Sequence, residues 1–193
     1  MDMNSPLGKK ILAIVRKADY AHAGEKEAID LVFKNIHKDP KRLLLDVGCG
    51  RGKTAQYIQS NGWGKVTGVD IDAESIDYAK KAYPQVEFIA ANVMDLTKSL
   101  TQRFELIYLF NVFYALTNQE QVLEQLRAVS RENSQLIIFD YLVKTQDPQK
   151  FPFPQWNPLD FSVIQNLFSD AGWQVVKTDD ISALYQKDRK SVV

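Results

Sequence analysis

The pattern of apolar and polar positions divides the chain into a helical beginning and a longer part in which strands and helices alternate. Apolar residues recur at helical spacing within 11–15 and 28–36. From residue 42 onward, short apolar runs typical of buried parallel strands alternate with amphipathic stretches. The runs that predict six strands are 43–47, 66–69, 86–90, 104–110, 136–139 and 173–177.

Residues that favour helix ends occur between these runs. The predicted helices cover 54–60, 73–83, the stretch after Asn118, and 159–171. Asp72 is a predicted N-cap, and Asn118 with Gln121 has the spacing of a capping box. Asn157 and Pro158 predict a further helix start, and Gly172 a helix end.

The alternation predicts an α/β fold: a doubly wound, Rossmann-like parallel sheet with helices on both faces. We expect residues 1–40 to form a helical N-terminal cap and residues 41–193 to form one ligand-binding domain. In such sheets ligands bind beyond the carboxyl ends of the strands, so the residues that follow each strand are the candidates for function.

Composition narrows the class of protein. The 193 residues hold 24 Lys+Arg and 24 Asp+Glu, and this balance disfavours a nucleic-acid partner. One cysteine excludes an intramolecular disulfide, and two histidines with one cysteine cannot form a zinc cluster, so we expect no metal. Without a long apolar run, the sequence predicts a soluble, cytoplasmic protein with no membrane partner.

A glycine-rich loop follows the first predicted strand. Residues 46–52 read D-V-G-C-G-R-G, and an acid, Asp70, ends the second predicted strand. The glycines leave the backbone accessible to a ligand, and Asp70 could accept the hydroxyls of a ribose. A dinucleotide site requires G-x-G-x-x-G, but the position of its third glycine is Lys53. Asp46 is also unsuited to a pyrophosphate.

Four segments together resemble the motifs of class I S-adenosylmethionine-dependent methyltransferases. The segments are D-V-G-C-G-R-G, V-T-G-V-D-I-D (66–72), V-E-F-I-A-A-N-V-M-D-L (86–96) and L-I-Y-L-F-N-V-F-Y-A-L (106–116). The resemblance implies S-adenosylmethionine as cofactor. It also implies contacts to that cofactor from the following positions: Asp46, Gly48, Cys49, Gly50, Asp70, Ile71, Asn92, Val93 and Phe110.

By this resemblance, Asp46 and the backbone of 48–50 hold the methionine part, and Asp70 holds the ribose. Phe110 lies beside the methionine arm.

The same resemblance places Ile71 on the adenine ring and gives the ring a backbone amide from Val93. Asn92 stands where the family usually has Asp; its amide oxygen accepts a hydrogen bond more weakly because it is uncharged.

The methyl acceptor is predicted to be a small molecule, because aromatic residues follow the fourth strand. Residues that could contact this acceptor are Tyr20, His22, Asn111, Tyr114, Asp140 and Tyr141. We select His22, Tyr20 and Tyr114 as the catalytic candidates, with His22 as a base. Residues 20–24 are predicted to form a lid over the cofactor.

The chain departs from the family at its C-terminal end. The family's sheet contains a seventh strand, but after residue 177 only 191–193 have strand character. Three outcomes stay open: the sheet lacks this strand and the sixth strand shifts inward, a partner chain fills the gap, or the chain is truncated relative to its relatives. An unpaired strand edge favours association, so a homodimer is a possible form of the protein. Two alternatives stay open for the function: a nicotinamide-dependent oxidoreductase, and a non-catalytic binding protein with the same fold.

Overall fold

The computed structural model describes residues 24–143, 159–160 and 162–186. Its helices are α1 (Glu25–Phe33), α2 (Lys53–Ser60), α3 (Ala73–Ala82), α4 (Leu96–Ser99), α5 (Gln119–Ala128), α6 (Ile164–Asp170) and α7 (Ser182–Gln186). Its strands are β1 (Leu43–Val47), β2 (Lys65–Asp70), β3 (Glu87–Ala90), β4 (Phe104–Phe110), β5 (Ser130–Phe139), β6 (Leu142–Val143) and β7 (Leu159–Asp160). Short 3₁₀ turns occupy Val93–Asp95 and Phe113–Ala115.

Five strands form one parallel sheet in the order β3-β2-β1-β4-β5. Alternate residues of β1 and β4 contribute to two different apolar clusters, so the sheet is buried on both faces. Helices α1, α2 and α3 contribute to one cluster, and α4, α5 and α6 contribute to the other. The predicted α/β class, with helices on both faces of a doubly wound sheet, is confirmed.

The predicted helix caps are present at the two positions described. The Asp72 carboxylate accepts a hydrogen bond from the Glu74 amide (3.2 Å), and the Asn118 side chain accepts one from the Gln121 amide (3.3 Å). Each bond satisfies a backbone donor that the first helical turn leaves unpaired. These caps fix where α3 and α5 begin at the rim of the sheet.

The predicted sixth strand, 173–177, is wrong. The Trp173 amide instead donates to the Phe168 carbonyl (2.8 Å) and ends α6, with Gly172 in the left-handed conformation. The buried Trp173 indole donates to the Leu123 carbonyl (3.1 Å), whereas Val176 is 86% exposed. Trp173 therefore packs against the end of α6 and against α5, and residues 173–177 form no strand.

The predicted helix 159–171 is correct only in its second part. Leu159 and Asp160 pair with β6, and α6 begins at Ile164. The predicted helix within 11–15, the cap at Asn157 and the strand character of 191–193 lie outside the described residues. Of the helices in the described ranges, each is too short or too polar to cross a bilayer.

Candidate active site

The predicted site residues of the described ranges occupy one edge of the sheet. They lie at or just after the carboxyl ends of β1 to β5: Asp46, Gly48, Cys49, Gly50, Asp70, Ile71, Asn92, Val93, Phe110, Asn111, Tyr114, Asp140 and Tyr141. Parallel strands bring their carboxyl ends to the same edge, and this is where doubly wound sheets hold ligands. Tyr20, His22 and nearly all of the predicted lid lie outside the described residues.

The amides of the glycine loop are used within the protein. Gly48 and Cys49 both donate to the Val69 carbonyl, at 2.8 and 3.0 Å. The Gly50 amide donates to Asp70 Oδ2 at 2.8 Å. No amide donor of these three residues is therefore left for a ligand. Their carbonyl oxygens can accept hydrogen bonds from one, although the Cys49 carbonyl already accepts from the Gly52 amide at 3.0 Å. Such a loop suits an ammonium group and does not suit a pyrophosphate.

Two glycines of the loop are required for different reasons. Gly48 has φ +74°, and a Cβ there would lie 2.4 Å from Val112 Cγ2. Gly50 has φ +52°, but a Cβ there would meet no heavy atom within 4 Å. The loop is thus pressed against the turn after β4 on one side and borders open space on the other.

A buried carboxyl group lies beneath this loop. Asp46 is paired with Tyr108 in the register of β1 and β4, and both side chains are buried. Neither Asp46 Oδ2 nor the Tyr108 hydroxyl completes a hydrogen bond to another described group. Burial raises the pKa of Asp46 to about 8, the nearby Tyr108 hydroxyl opposes this, and the negative charge of Asp70 adds to it.

The acid at the end of β2 is held rigidly. Asp70 Oδ1 accepts from the Asp72 amide (2.9 Å), and Oδ2 accepts from Gly50. A carboxylate oxygen can accept more than one hydrogen bond, so an acid at this position suits the hydroxyl groups of a ligand. Ile71 follows directly and is 71% exposed, although an apolar side chain of this size is usually buried. Asp70 and Ile71 thus place carboxylate acceptors beside an exposed apolar side chain.

The residues after β3 are less buried. Asn92 is exposed, and its Oδ1 accepts from the Met94 amide at 3.0 Å, so it caps the 3₁₀ turn that Val93 begins. Its amide oxygen is therefore already in use, and only its second lone pair is open to a ligand. Cys49 is buried and packs against Gly68, which agrees with a small filler rather than a nucleophile.

Aromatic and acidic residues gather after β4 and β5. The rings of Tyr114 and Tyr141 lie 5.4 Å apart in an edge-to-face arrangement. Asp140 accepts from the amides of both tyrosines, at 3.1 and 2.7 Å. Burial raises the pKa of Asp140 to about 6, against the effect of the backbone hydrogen bonds that it accepts. Asn111, with φ +53°, donates weakly to the Tyr141 hydroxyl at 3.4 Å.

Nearby, the Phe110 ring is buried and lies 5.2 Å from that of Phe139.

Sequence reasoning missed two residues of this edge, Tyr108 and Val112. The register of β1 against β4 would have identified Tyr108, but register depends on contacts between distant segments. Across the described ranges, no three His, Cys, Asp or Glu side chains are arranged to hold a metal ion.

Comparisons with known proteins identify the family. The model of a methyltransferase domain matches residues 38–169. An O-methyltransferase of Pyrenophora dematioidea is 26% identical over 78% of this chain and 61% of its own length. An uncharacterized methyltransferase of Synechocystis, sll0829, is 27% identical over 90% of this chain and 78% of its own.

Among solved structures, the phosphoethanolamine N-methyltransferase 2 of Haemonchus contortus, in complex with S-adenosyl-L-methionine, superposes with a TM-score of 0.82. It is 13% identical, and the match covers 95% of this chain and 45% of that one, which shows a shared fold. The chain spans between 47% and 61% of the length of the first curated relatives it matches. The fold, the glycine loop and the family match together place the chain in the class I S-adenosylmethionine-dependent methyltransferases.

Proposed function

We propose that the chain transfers a methyl group from S-adenosylmethionine to a small-molecule acceptor. One observation carries the proposal: Asp46 Oδ2 is buried without a hydrogen-bond partner among the described residues, and the amides of Gly48, Cys49 and Gly50 that follow it already donate within the protein. A buried carboxyl oxygen without a partner is costly, and an ammonium group of a ligand would satisfy it. The amino-acid end of S-adenosylmethionine carries such a group.

The remaining residues of this edge fit the rest of the cofactor. Asp70 presents rigid carboxylate oxygens to ribose hydroxyls, and Ile71 presents an exposed apolar surface to the adenine. Asn92 and Val93 lie after the next strand, at the far end of the same edge. The open space beside Gly50 leaves room for the ligand backbone.

The cofactor supplies a methyl group already activated by a positive sulfur, so the protein's task is alignment and exclusion of water. We assign Phe110, the last residue of β4, to the methionine arm. Tyr114 and Tyr141 offer ring faces and hydroxyls to the acceptor, which suits an apolar or cationic small molecule. Tyr114 therefore remains a catalytic candidate, together with Tyr20 and His22.

Calorimetry tests this function and its rivals. We expect S-adenosylmethionine and its demethylated product, S-adenosylhomocysteine, to bind with micromolar affinity, and NAD to bind at least about 100-fold more weakly. Tight binding of NAD instead would support the oxidoreductase alternative. Binding of both adenosyl compounds, with no methylated product from a small-metabolite extract, would favour a non-catalytic binding protein.

A further prediction concerns the adenine end. Asn92→Asp keeps the oxygen that caps the 3₁₀ turn and adds a negative charge to it. A charged acceptor forms a stronger hydrogen bond, so we expect the variant to bind S-adenosylmethionine about 3- to 10-fold more tightly. Asn92→Ala should weaken binding and also remove the cap. Equal affinities of Asn92→Asp and the unmodified chain would argue that Asn92 does not face the adenine.

A further inference from the structure

Asp46 and Tyr108 form a buried pair that the proposed cofactor contacts do not fully explain. They are register partners on adjacent strands, and their side chains point to the same face of the sheet. Phe33 of α1 packs its ring edge-on against the Tyr108 ring at 5.5 Å, so the contact from α1 is apolar. Within the described ranges, the other titratable groups that act on the pair are Asp70 and Cys49.

When Asp46 is ionised, the Tyr108 hydroxyl is the one donor of the pair, and Asp46 Oδ2 still lacks a hydrogen-bond partner. With Asp46 protonated and neutral, burial is tolerated. With Asp46 ionised, the Tyr108 hydroxyl is the neighbouring donor, while the negative charge of Asp70 opposes ionisation. An approaching cation would shift this balance, because it stabilises the carboxylate in a site that water reaches poorly.

We propose that Asp46 and Tyr108 act as a proton-linked recognition pair for the ammonium group of the cofactor. Ligand binding ionises Asp46, the Tyr108 hydroxyl donates to the resulting carboxylate, and the proton passes to solvent. The balance is one carboxylic acid and one ammonium before binding, and one carboxylate–ammonium pair and one free proton after it. The proposal rests on the proposed function, since it needs the cofactor to occupy this loop.

This proposal makes Tyr108 a positioning residue and predicts a pH signature. The pKa of Asp46, about 8 in the free protein, keeps the carboxyl neutral at mildly acidic pH, so binding there must release a proton. The α-amino group of the free ligand loses its own proton above roughly pH 7.7–8.0. At alkaline pH binding should therefore take up a proton instead, and affinity should be highest near pH 8.

Calorimetry of the full chain in buffers of different ionisation enthalpy measures this proton exchange. At about pH 6.5 we expect S-adenosylmethionine to release close to one proton, and at about pH 9 to take up a fraction of one. The control ligand is 5′-methylthioadenosine, which has the same adenosine but no amino-acid end. It should exchange almost no protons at either pH.

Two variants separate the roles of the pair. Tyr108→Phe keeps the ring and removes the hydroxyl that stabilises the carboxylate, so proton release should persist to higher pH and affinity near pH 7 should fall about 10-fold. Asp46→Asn has no carboxyl group at this position, so the proton release at about pH 6.5 should be lost. The matched control is Tyr57→Phe, which removes a hydroxyl that contacts the exposed Asp30 carboxylate at 3.0 Å. It should leave proton release unchanged.

Carboxyl carbon NMR of Asp46 gives a second readout that needs no activity. At about pH 6.5 its signal should report a neutral acid in the free protein and with 5′-methylthioadenosine, and a carboxylate with S-adenosylmethionine. Binding of S-adenosylmethionine without proton release would overturn the inference and leave the proposed function standing. Failure of both adenosyl compounds to bind would overturn the proposed function itself.

Discussion

Replacing Asp46 with asparagine is expected to abolish most cofactor binding while making the free protein relatively more stable at alkaline pH. The two effects have opposite signs because the ionised carboxylate binds the ligand, whereas its burial without a ligand destabilises the folded protein. Loss of a hydrogen bond to a charged group, worth about 1.5–3 kcal/mol, should weaken S-adenosylmethionine binding roughly 10- to 150-fold near pH 8.

The effect on stability follows from the direction of the pKa shift. Burial raises the pKa of Asp46 from 3.8 to about 8, so the folded state binds this proton more tightly than the unfolded state does. The stability that the proton provides is complete below the unfolded value of 3.8 and is lost as pH rises to about 8. The loss has a limiting slope of about 1.4 kcal/mol per pH unit.

An asparagine carries no such proton. We therefore expect the unmodified chain to lose stability relative to Asp46→Asn over this interval, and the difference to become constant above it. Thermal unfolding at several pH values measures the difference in unfolding free energy between the two proteins. The titration of the other groups is common to both proteins and cancels in this difference. The matched control is Asp77→Asn on the exposed side of α3, which should shift neither stability nor affinity. Parallel pH profiles for Asp46→Asn and the unmodified chain would contradict the buried-carboxyl account.

The sequence was sufficient for those elements whose signals are local. The strand predictions 43–47 and 104–110 agree with β1 and β4, because each is a mostly apolar segment, interrupted by one acid, that is buried on both faces. The caps at Asp72 and Asn118 were also identified correctly, since a cap depends on residues two or three positions away. The placement of a ligand site at the carboxyl ends followed from the fold class alone.

Predictions were wrong or incomplete where distant residues decide the structure. Strand β5 starts at Ser130, before the predicted 136–139, because pairing with Phe104 extends it past a register shift through polar residues. The local apolar pattern predicts that Trp173 begins a strand, but its indole donates a hydrogen bond to the carbonyl of Leu123 in α5. The raised pKa of Asp46 likewise depends on burial and on Tyr108 across the sheet, which no local pattern reports.

The second large effect is expected at Gly48, where alanine should destabilise the fold itself. Its φ of +74° is unfavourable for a residue with a side chain, and the added Cβ would lie 2.4 Å from Val112 Cγ2. A left-handed residue costs about 1–2 kcal/mol, and overpacking costs about 1–3 kcal/mol more. Gly48→Ala should therefore lose roughly 2–5 kcal/mol of unfolding free energy, measured by urea titration.

Gly50→Ala is the matched control, because it adds the same methyl group to the same loop. Its φ of +52° is also left-handed, but no heavy atom lies within 4 Å of the added Cβ. We expect a stability loss of only about 1–2 kcal/mol. The Cβ would project into the space proposed for the ligand, however, so S-adenosylmethionine binding should fall more than stability does.

A double-mutant cycle identifies the cause of the larger effect. Val112→Ala removes the two methyl groups nearest to the added Cβ, although the Val112 Cβ itself would remain 3.1 Å away. The Gly48→Ala/Val112→Ala protein should therefore recover the overpacking part of the loss and keep the backbone part, a coupling of about 1–3 kcal/mol. Full additivity of the two substitutions would show that the glycine is required for its backbone conformation alone. A positive coupling would show that the turn after β4 and the glycine loop are packed as one unit, so that the acceptor side and the cofactor side of the site are positioned together.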